Sequence, residues 1–249
     1  MTNTVNGAAV QQPTIKKKSR AGEIWRRFRK NKLAVFGMIL FALILLVAIF
    51  ADAIVNYSVA TTQVAADRLL SPNAEHWFGT DNYGRDLFAR IVHGSRNSLL
   101  VGFGSVAIGV VLGGLLGAVC GYVGGRFDAI MMRVLDSIMC IPSMMMALAI
   151  VAALGSSLVN VLLAMTISNV PWYCRIIRSS VLGVTGQTYI EAARSCGTSD
   201  FQIIMTHVLP NAMGPIIVQA TMGIGGAIIS AAGISFVGMG IQPPAPEWG

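Results

Sequence analysis

Chemistry in a protein chain needs nucleophiles, acids, bases or phosphate-binding loops at workable spacings, and candidates here are few. The last lysine is Lys32, so no later glycine-rich loop ends in the Gly-Lys-Ser/Thr that cradles nucleotide phosphates. Gly102-Phe103-Gly104 lies inside an apolar run, without the strand–turn–helix setting such a loop requires. His76, His93 and His207 are far apart, and no His-Glu-x-x-His occurs. Cys120, Cys140, Cys174 and Cys196 have no metal-ligand spacing and read as small packing residues. No serine stands in a nucleophile-elbow spacing. The expectation is a chain with no catalytic residue, no metal site and no cofactor of its own.

What must position the remaining residues is a set of long apolar segments. Of 249 residues, 54% are hydrophobic and 12% charged, about half the charged fraction of a soluble domain. That excludes an ordinary cytosolic enzyme. The net charge of +7 does not point to nucleic acid, because nine of the eighteen Lys and Arg lie between Lys16 and Lys32. A basic cluster directly before an apolar run is an orientation signal in a membrane.

A bilayer core takes about 20 apolar residues per helix. Leu33–Ala51 is a first uncharged run, longer than a signal-peptide core, and reads as a retained anchor. Asn97–Gly125 is a second. Ser137–Cys174 is too long for one helix, and Gly155-Ser156-Ser157 divides it into spans near 130–153 and 158–178. A fifth span is expected near 212–236, before Gln242-Pro243-Pro244-Ala245-Pro246. The organisation expected is a basic N-terminal segment 1–32 (polar and unstructured over 1–15), an anchor 33–55, an outside segment 56–96 and a helical core 97–249. Four basic and four acidic residues make 56–96 neutral, whereas Arg126, Arg133, Arg175, Arg178 and Arg194 fall in the segments expected inside. Positive-inside counting therefore places the N-terminus in the cytoplasm and Gly249 outside. The chain reaches Gly249 with no closing element, so a sixth span is expected beyond it.

The second run carries Gly109, Gly113, Gly117, Gly121 and Gly125, a glycine at every fourth position. Small residues at that spacing let helix backbones approach closely in lipid. The stripe serves either a subunit or pathway interface or packing inside the bundle. Asp52, Arg133 and Asp136 fall at span edges, where pairing or snorkelling explains them better than ion conduction, including a proton relay at Asp136. Met144, Met145 and Met146 follow Ile141-Pro142. This soft, kinked stretch lines either a cargo route or the core.

Helix-bundle connections usually run 2–8 residues, so an inside segment from 179 to 210 needs its own structure. Thr188-Tyr189-Ile190-Glu191 and Ser199-Asp200-Phe201-Gln202 both fit capping boxes. Gly197 between them fits a helix stop. Two short helices are expected, near 189–196 and 200–207, with Leu209-Pro210 launching the fifth span. Such a hairpin either lies on the membrane surface or docks a cytosolic partner that moves it.

Glu191-Ala192-Ala193, Gly197 and Leu209-Pro210 together resemble the EAA loop of bacterial ABC importer permeases. That family usually has an aliphatic residue where His207 stands, but its peptide branch often has histidine there. A second block agrees. His76-Trp77-Phe78-Gly79-Thr80-Asp81-Asn82-Tyr83-Gly84-Arg85-Asp86, then Arg90 and Gly94-Ser95-Arg96, resembles the outside segment of permeases for dipeptides, oligopeptides and nickel. The basic segment with its anchor and the final Pro-Glu-Trp-Gly fit the same group, so the likeness runs over residues 20–249.

The resemblance implies an all-α polytopic bundle of the type I importer class in a bacterial inner membrane. It also implies half of a pore shared with a homologous second permease. Two cytosolic ATPases using ATP and Mg²⁺, and an extracytoplasmic substrate-binding protein, would complete the assembly, with lipid around it. Glu191, Ala192, Ala193, Gly197, Leu209 and Pro210 would form the ATPase-coupling element. Gly79, Thr80, Asp81, Gly84, Arg85 and Asp86 would form the extracytoplasmic motif, where Arg85 and Arg90 suit local pairing better than substrate contact. Peptide cargo is preferred over nickel. A self-sufficient secondary transporter would show buried titratable residues or paired broken helices, which are sparse. A non-transporting scaffold would leave the capped hairpin unexplained.

Overall fold

The structure, a computed structural model, describes residues 20–249; the polar stretch 1–15 lies outside the described residues. Contacts divide the chain into two units, one ending at Leu46 and the other running from Val47 to Gly249. In the first, α1 (Arg20–Lys30) precedes α2 (Lys32–Ile49). Asn31 lies between them, its side-chain oxygen accepting from the Ala34 N–H at 3.2 Å. This satisfies one of the open donors at a helix start. α2 has 18 residues, about 27 Å of helix at 1.5 Å per residue, close to the thickness of a bilayer core.

The second unit opens with two short helices, α3 (Ala51–Ile54) and α4 (Tyr57–Thr61). It then forms α5 (Leu87–Val123), α6 (Gly125–Met139), α7 (Ser143–Leu154) and α8 (Leu158–Thr185). After these come α9 (Thr188–Ser195), α10 (Asp200–Ile203) and α11 (Leu209–Phe236). No strand is present among the described residues, only one isolated bridge between Thr80 and Asp86.

Three stretches, Lys32–Ile49, Leu87–Val123 and Asp200–Phe236, are long and apolar enough to cross a membrane, and a bent pair makes a fourth. α8 has the length for a span, with 28 residues. Asn160, Asn169, Arg175 and Arg178 lower its apolar character. α5, at 37 residues, is about 55 Å long and overshoots a core of about 30 Å.

α5 and α8 form the centre. A Cβ on Gly113 would lie 2.8 Å from the Val170 carbonyl oxygen and 2.9 Å from the Cys174 nitrogen. One on Gly121 would lie 2.9 Å from the Arg178 carbonyl oxygen. Gly117 faces the Cys174 carbonyl and Gly109 the Tyr173 ring. The stripe packs inside the chain, backbone against backbone. Gly125 departs from the expectation. α5 stops at Val123, and Gly124 and Gly125 both take positive φ (64° and 63°) with open space around them. Gly125 therefore belongs to a reversal into α6, not to the packing face. Around the α5–α8 contact, Met165, Ile177 and Val181 join Ile190, Ile203, Val208, Ile216 and Ile234 in one buried cluster.

Polar side chains inside these helices bond back to their own turns. Ser105 donates to Val101 O at 2.7 Å, Thr166 to Leu162 O at 2.8 Å and Ser168 to Ala164 O at 2.8 Å. That is the cheapest way to satisfy them where water is absent.

Two expected elements take a different form. The single span at 130–153 is broken, with α6 and α7 meeting at 79°. Pro142 has no N–H to continue α6 and takes an extended ψ of 130° at the head of α7. The second short inside helix is not separate from the fifth span. Asp200–Phe236 is one continuous helix that widens to π geometry over Ile204–Val208. The Leu209 N–H bonds to Ile204 O, and this wider turn accommodates Pro210, whose ring would crowd an ordinary α turn. Leu209-Pro210 therefore lies within the helix and does not launch it.

Candidate functional site: a bent helical hairpin and an outer arginine–aspartate cluster

The hairpin begins at α9. Gln187, not Thr188, is its N-cap, and no side chain caps it, so the first of the two expected boxes does not close. The second closes by half, with Ser199 Oγ accepting from the Gln202 N–H at 3.4 Å. Between them the chain turns at Gly197, φ +80°. The Gly197 N–H donates to Arg194 O at 3.0 Å and the Thr198 N–H to Ala193 O at 3.2 Å. This pair of bonds closes a helix through a left-handed residue, a conformation glycine adopts without strain. Because α8 runs on to Thr185, most of segment 179–210 is helix and its true connections are short.

Ile190 and Ile203 are fully buried, one from each arm, and key the hairpin into the core. Glu191 and Ala192 are exposed, Ala193 packs partly against the core, and Tyr189, Phe201 and Met205 are exposed apolar groups. Phe201 is 75% exposed. The hairpin thus has an apolar back fixed to the bundle and an exposed front of mixed acidic and aromatic character.

One anchor was not expected from the sequence. Tyr122, in the last turn of α5, donates its hydroxyl to Asp200 Oδ1 at 2.5 Å. The Arg194 guanidinium lies 5.4 Å from the centre of the same ring. A single side chain from the glycine helix therefore holds both arms. Nearby, Arg178 of α8 grips Asp128 of α6 with two bonds of 2.5 Å. Asp136 pairs with Arg175, and Asp52 with Arg96 at 2.7 Å, so two of the three span-edge charges are paired. Arg133 is exposed.

At the opposite end of α5, residues 79–90 form a closed cluster. Asp81 Oδ1 accepts from the N–H groups of Tyr83 (2.8 Å) and Arg85 (3.0 Å). Its Oδ2 takes Arg85 Nε at 2.7 Å, with Arg90 Nε at 3.6 Å. Burial alone would raise the Asp81 pKa, but the two backbone donors and the Arg85 guanidinium hold it below the ordinary carboxylate value. Asp86 caps α5 through the Ala89 N–H at 2.7 Å and meets His76 Nδ1 at 2.8 Å with its other oxygen. Thr80 Oγ1 accepts from the Leu70 N–H at 2.8 Å and donates to Asp67 O. Gly84, φ +73°, sits against the Val64 carbonyl with no room for a side chain.

The final segment docks on the same end. Asn97 Nδ2 donates to Pro246 O (2.8 Å), Trp248 Nε1 to Ile91 O (3.0 Å), and a Cβ on Gly94 would touch Glu247 at 3.0 Å. The sequence marked Gly94 and the Pro-Glu-Trp-Gly ending separately but gave no sign that they meet.

A helical bundle built on the glycine-packed α5–α8 pair and carrying a bent hairpin, with at least three stretches long and apolar enough to cross a membrane, is the architecture of a polytopic membrane protein. The chain belongs to the family described as binding-protein-dependent transport system inner membrane component, whose profile matches residues 109–249. Residues 19–72 match a second family, the N-terminal TM domain of oligopeptide transport permease C. It is therefore an inner-membrane permease. Among individual proteins, it is 46% identical over 227 residues to the dipeptide transport system permease protein DppC of Alkalihalophilus pseudofirmus. That match covers 91% of this chain and 74% of the relative. The probable D,D-dipeptide transport system permease protein DdpC of Escherichia coli K12 is 43% identical over 226 residues, covering 91% and 75%. The glutathione transport system permease protein GsiD of Escherichia coli O157:H7 is 43% identical over 228 residues, with the same coverage.

Proposed function

We propose that this chain is one of two permease subunits of an ATP-driven peptide importer, coupled to cytosolic ATPases through the 188–208 hairpin. The observation that carries the reading is the hairpin's construction. Its back is locked to the bundle by Ile190, Ile203 and Tyr122, its front presents Glu191, Tyr189 and Phe201, and its second arm runs unbroken into α11. A part meant only to lie on lipid would need no such rigid link. A part meant to receive force would.

In this reading Ala192 and Ala193 allow close approach of the partner surface, and Glu191 meets a basic group on it. Leu209 and Pro210 set the junction between hairpin and span. ATP and Mg²⁺ act on the ATPase subunits. Peptide cargo, dipeptide- to glutathione-sized, is favoured by the names of the relatives; nickel is the alternative cargo, and a secondary transporter the alternative class.

The test is Gly197→Pro in the assembled transporter. Proline fixes φ near −65°, opposite in sign to the +80° observed. The expected result is normal membrane insertion, loss of ATP-driven peptide uptake and loss of ATPase co-purification. Wild-type uptake by the correctly assembled variant would refute the coupling role. Import by the purified permease alone on an ion gradient would refute the class.

A further inference from the structure

The glycine stripe consumes one face of α8, and the face turned away from it carries two openings. The first, about 200 Å³, lies between the α6–α7 break and α8, lined in part by Pro142, Met146, Ser168, Asn169 and Trp172. The second, about 270 Å³, lies between α8 and α11, lined in part by Asn169, Trp172, Gln219, Met222 and Ser230. Asn169 and Trp172 line both, so the two openings form one groove around α8.

The chemistry of this groove is specific. None of its lining residues is charged. Asn169 donates its amide N–H to Met165 O at 2.9 Å, which leaves its carbonyl oxygen as a free acceptor in the groove. Among the described residues, Gln219, Ser230 and the Trp172 indole N–H have no hydrogen-bond partner. By contrast Thr166, Ser168 and Thr221, on neighbouring turns of the same helices, are all bonded to their own backbones. Lipid offers nothing to an unpaired amide or indole, so the groove is built for a polar occupant. Uncharged donors and acceptors interleaved with thioethers and an indole match the one or two amides of a dipeptide or glutathione, whatever its side chains.

We infer that Asn169, Trp172 and Gln219 form the cargo-contacting strip of this subunit, holding peptide backbone amides during passage. The inference rests on the peptide-import reading above and adds the residues that touch cargo. Without a fixed charge the strip holds cargo weakly, as a passage requires.

The experiment uses the full transporter, with partner permease, ATPases and binding protein, in proteoliposomes. Labelled L-alanyl-L-alanine and glutathione are the probes. Gln219→Leu and Asn169→Leu should each lower maximal uptake roughly three- to tenfold, the loss expected for one neutral hydrogen bond. Gln219→Asn and Asn169→Gln should restore most of the rate. In a C140S/C196S background, Q219C should react with a water-soluble methanethiosulfonate reagent, and turnover with dipeptide should slow the labelling several-fold. Full uptake by both leucine variants would overturn the inference. So would a Q219C thiol that never reacts, which would mean that another helix fills the groove. If the wild type imports neither probe while Q219C still labels, the aqueous groove stands and the peptide reading falls.

Discussion

The glycine stripe permits a comparison in which one chemical change has opposite signs at two sites. Gly→Ala inside a helix ordinarily gains about 0.5–1 kcal/mol, because glycine loses more backbone freedom on folding. At Gly183, where no atom lies within 4 Å of the new Cβ, that gain should appear undiminished. At Gly113 the methyl would sit 2.8 Å from Val170 O and 2.9 Å from Cys174 N, well inside ordinary carbon contact. Both neighbours are backbone and cannot swing aside, so the helices must separate. A gap of 0.5–1 Å forfeits a quarter to a half of each dispersion contact along the seam, and overpacking of this kind costs about 1–3 kcal/mol. Gly117 meets the Cys174 carbonyl still more closely. The double variant Gly113→Ala/Gly117→Ala should therefore lose about 2 kcal/mol net after the helix-propensity gain. At 2–4 °C per kcal/mol for a chain of this size, Tm falls by roughly 4–8 °C. Gly183→Ala should raise Tm by about 1–4 °C. The assay is thermal unfolding of the purified protein in detergent, followed in a C140S/C196S background by thiol labelling of the buried Cys120 and Cys174. If the double variant matches or exceeds wild type, backbone contact between α5 and α8 does not hold the bundle together.

Two further outcomes follow from the ends of α5. Tyr122→Phe removes the hydroxyl that binds Asp200 but keeps the ring under Arg194, so it should loosen the hairpin without unfolding it. More ATP hydrolysed per peptide imported, at near-normal ATPase rates, is the expected reading; unchanged stoichiometry would remove Tyr122 from the coupling path. At the other end, the Asp81 pKa is held below its ordinary value of 3.8. Its contribution is therefore complete above that value and fades as pH falls through the folded-state pKa. Hydrogen exchange of residues 79–90 should stay flat from neutral pH down to about 4 once corrected for intrinsic rates, then rise. Asp81→Asn should exchange faster at every pH, and equal protection in the two proteins would deny the cluster its role.

Much of this architecture is legible because lipid simplifies the rules. Uncharged runs, glycine periodicity, the placement of arginines and a glycine between two capping patterns suffice to expect most of the helices, the small-residue stripe and the reversal at Gly197. What the sequence hid has common causes. The break at Cys140–Pro142 lies in an unbroken apolar run, so hydropathy passes through it and only the proline hints at the sharp angle. Leu209-Pro210 looks like a helix start, and nothing local reveals that a π turn absorbs the proline. Thr188 fits a capping box in pattern, yet the helix starts one residue earlier, within the ordinary latitude of helix ends. Tyr122 and Asp200 are 78 positions apart, and Gly94 lies in α5 while Glu247 lies in the non-helical segment beyond α11. Such contacts depend on how helices cross, which no local pattern encodes. At the outer cluster, Asp81 and Arg85 announce their pairing by spacing, but the capping of α5 by Asp86 does not show until the helix boundary is known.

The helix from Asp200 to Phe236 has 37 residues, about 55 Å of rod at 1.5 Å per residue. A rod has no slack. With the shaft straight through the π turn and Pro215, tilting its hairpin end by about 5° would sweep the far end through roughly 5 Å, about the width of a peptide backbone. Opening at one mouth and narrowing at the other would then be a single event with one clock. The widened turn before Pro210 and the proline at 215 interrupt the regular bonding of the shaft and are where such synchrony could be tuned.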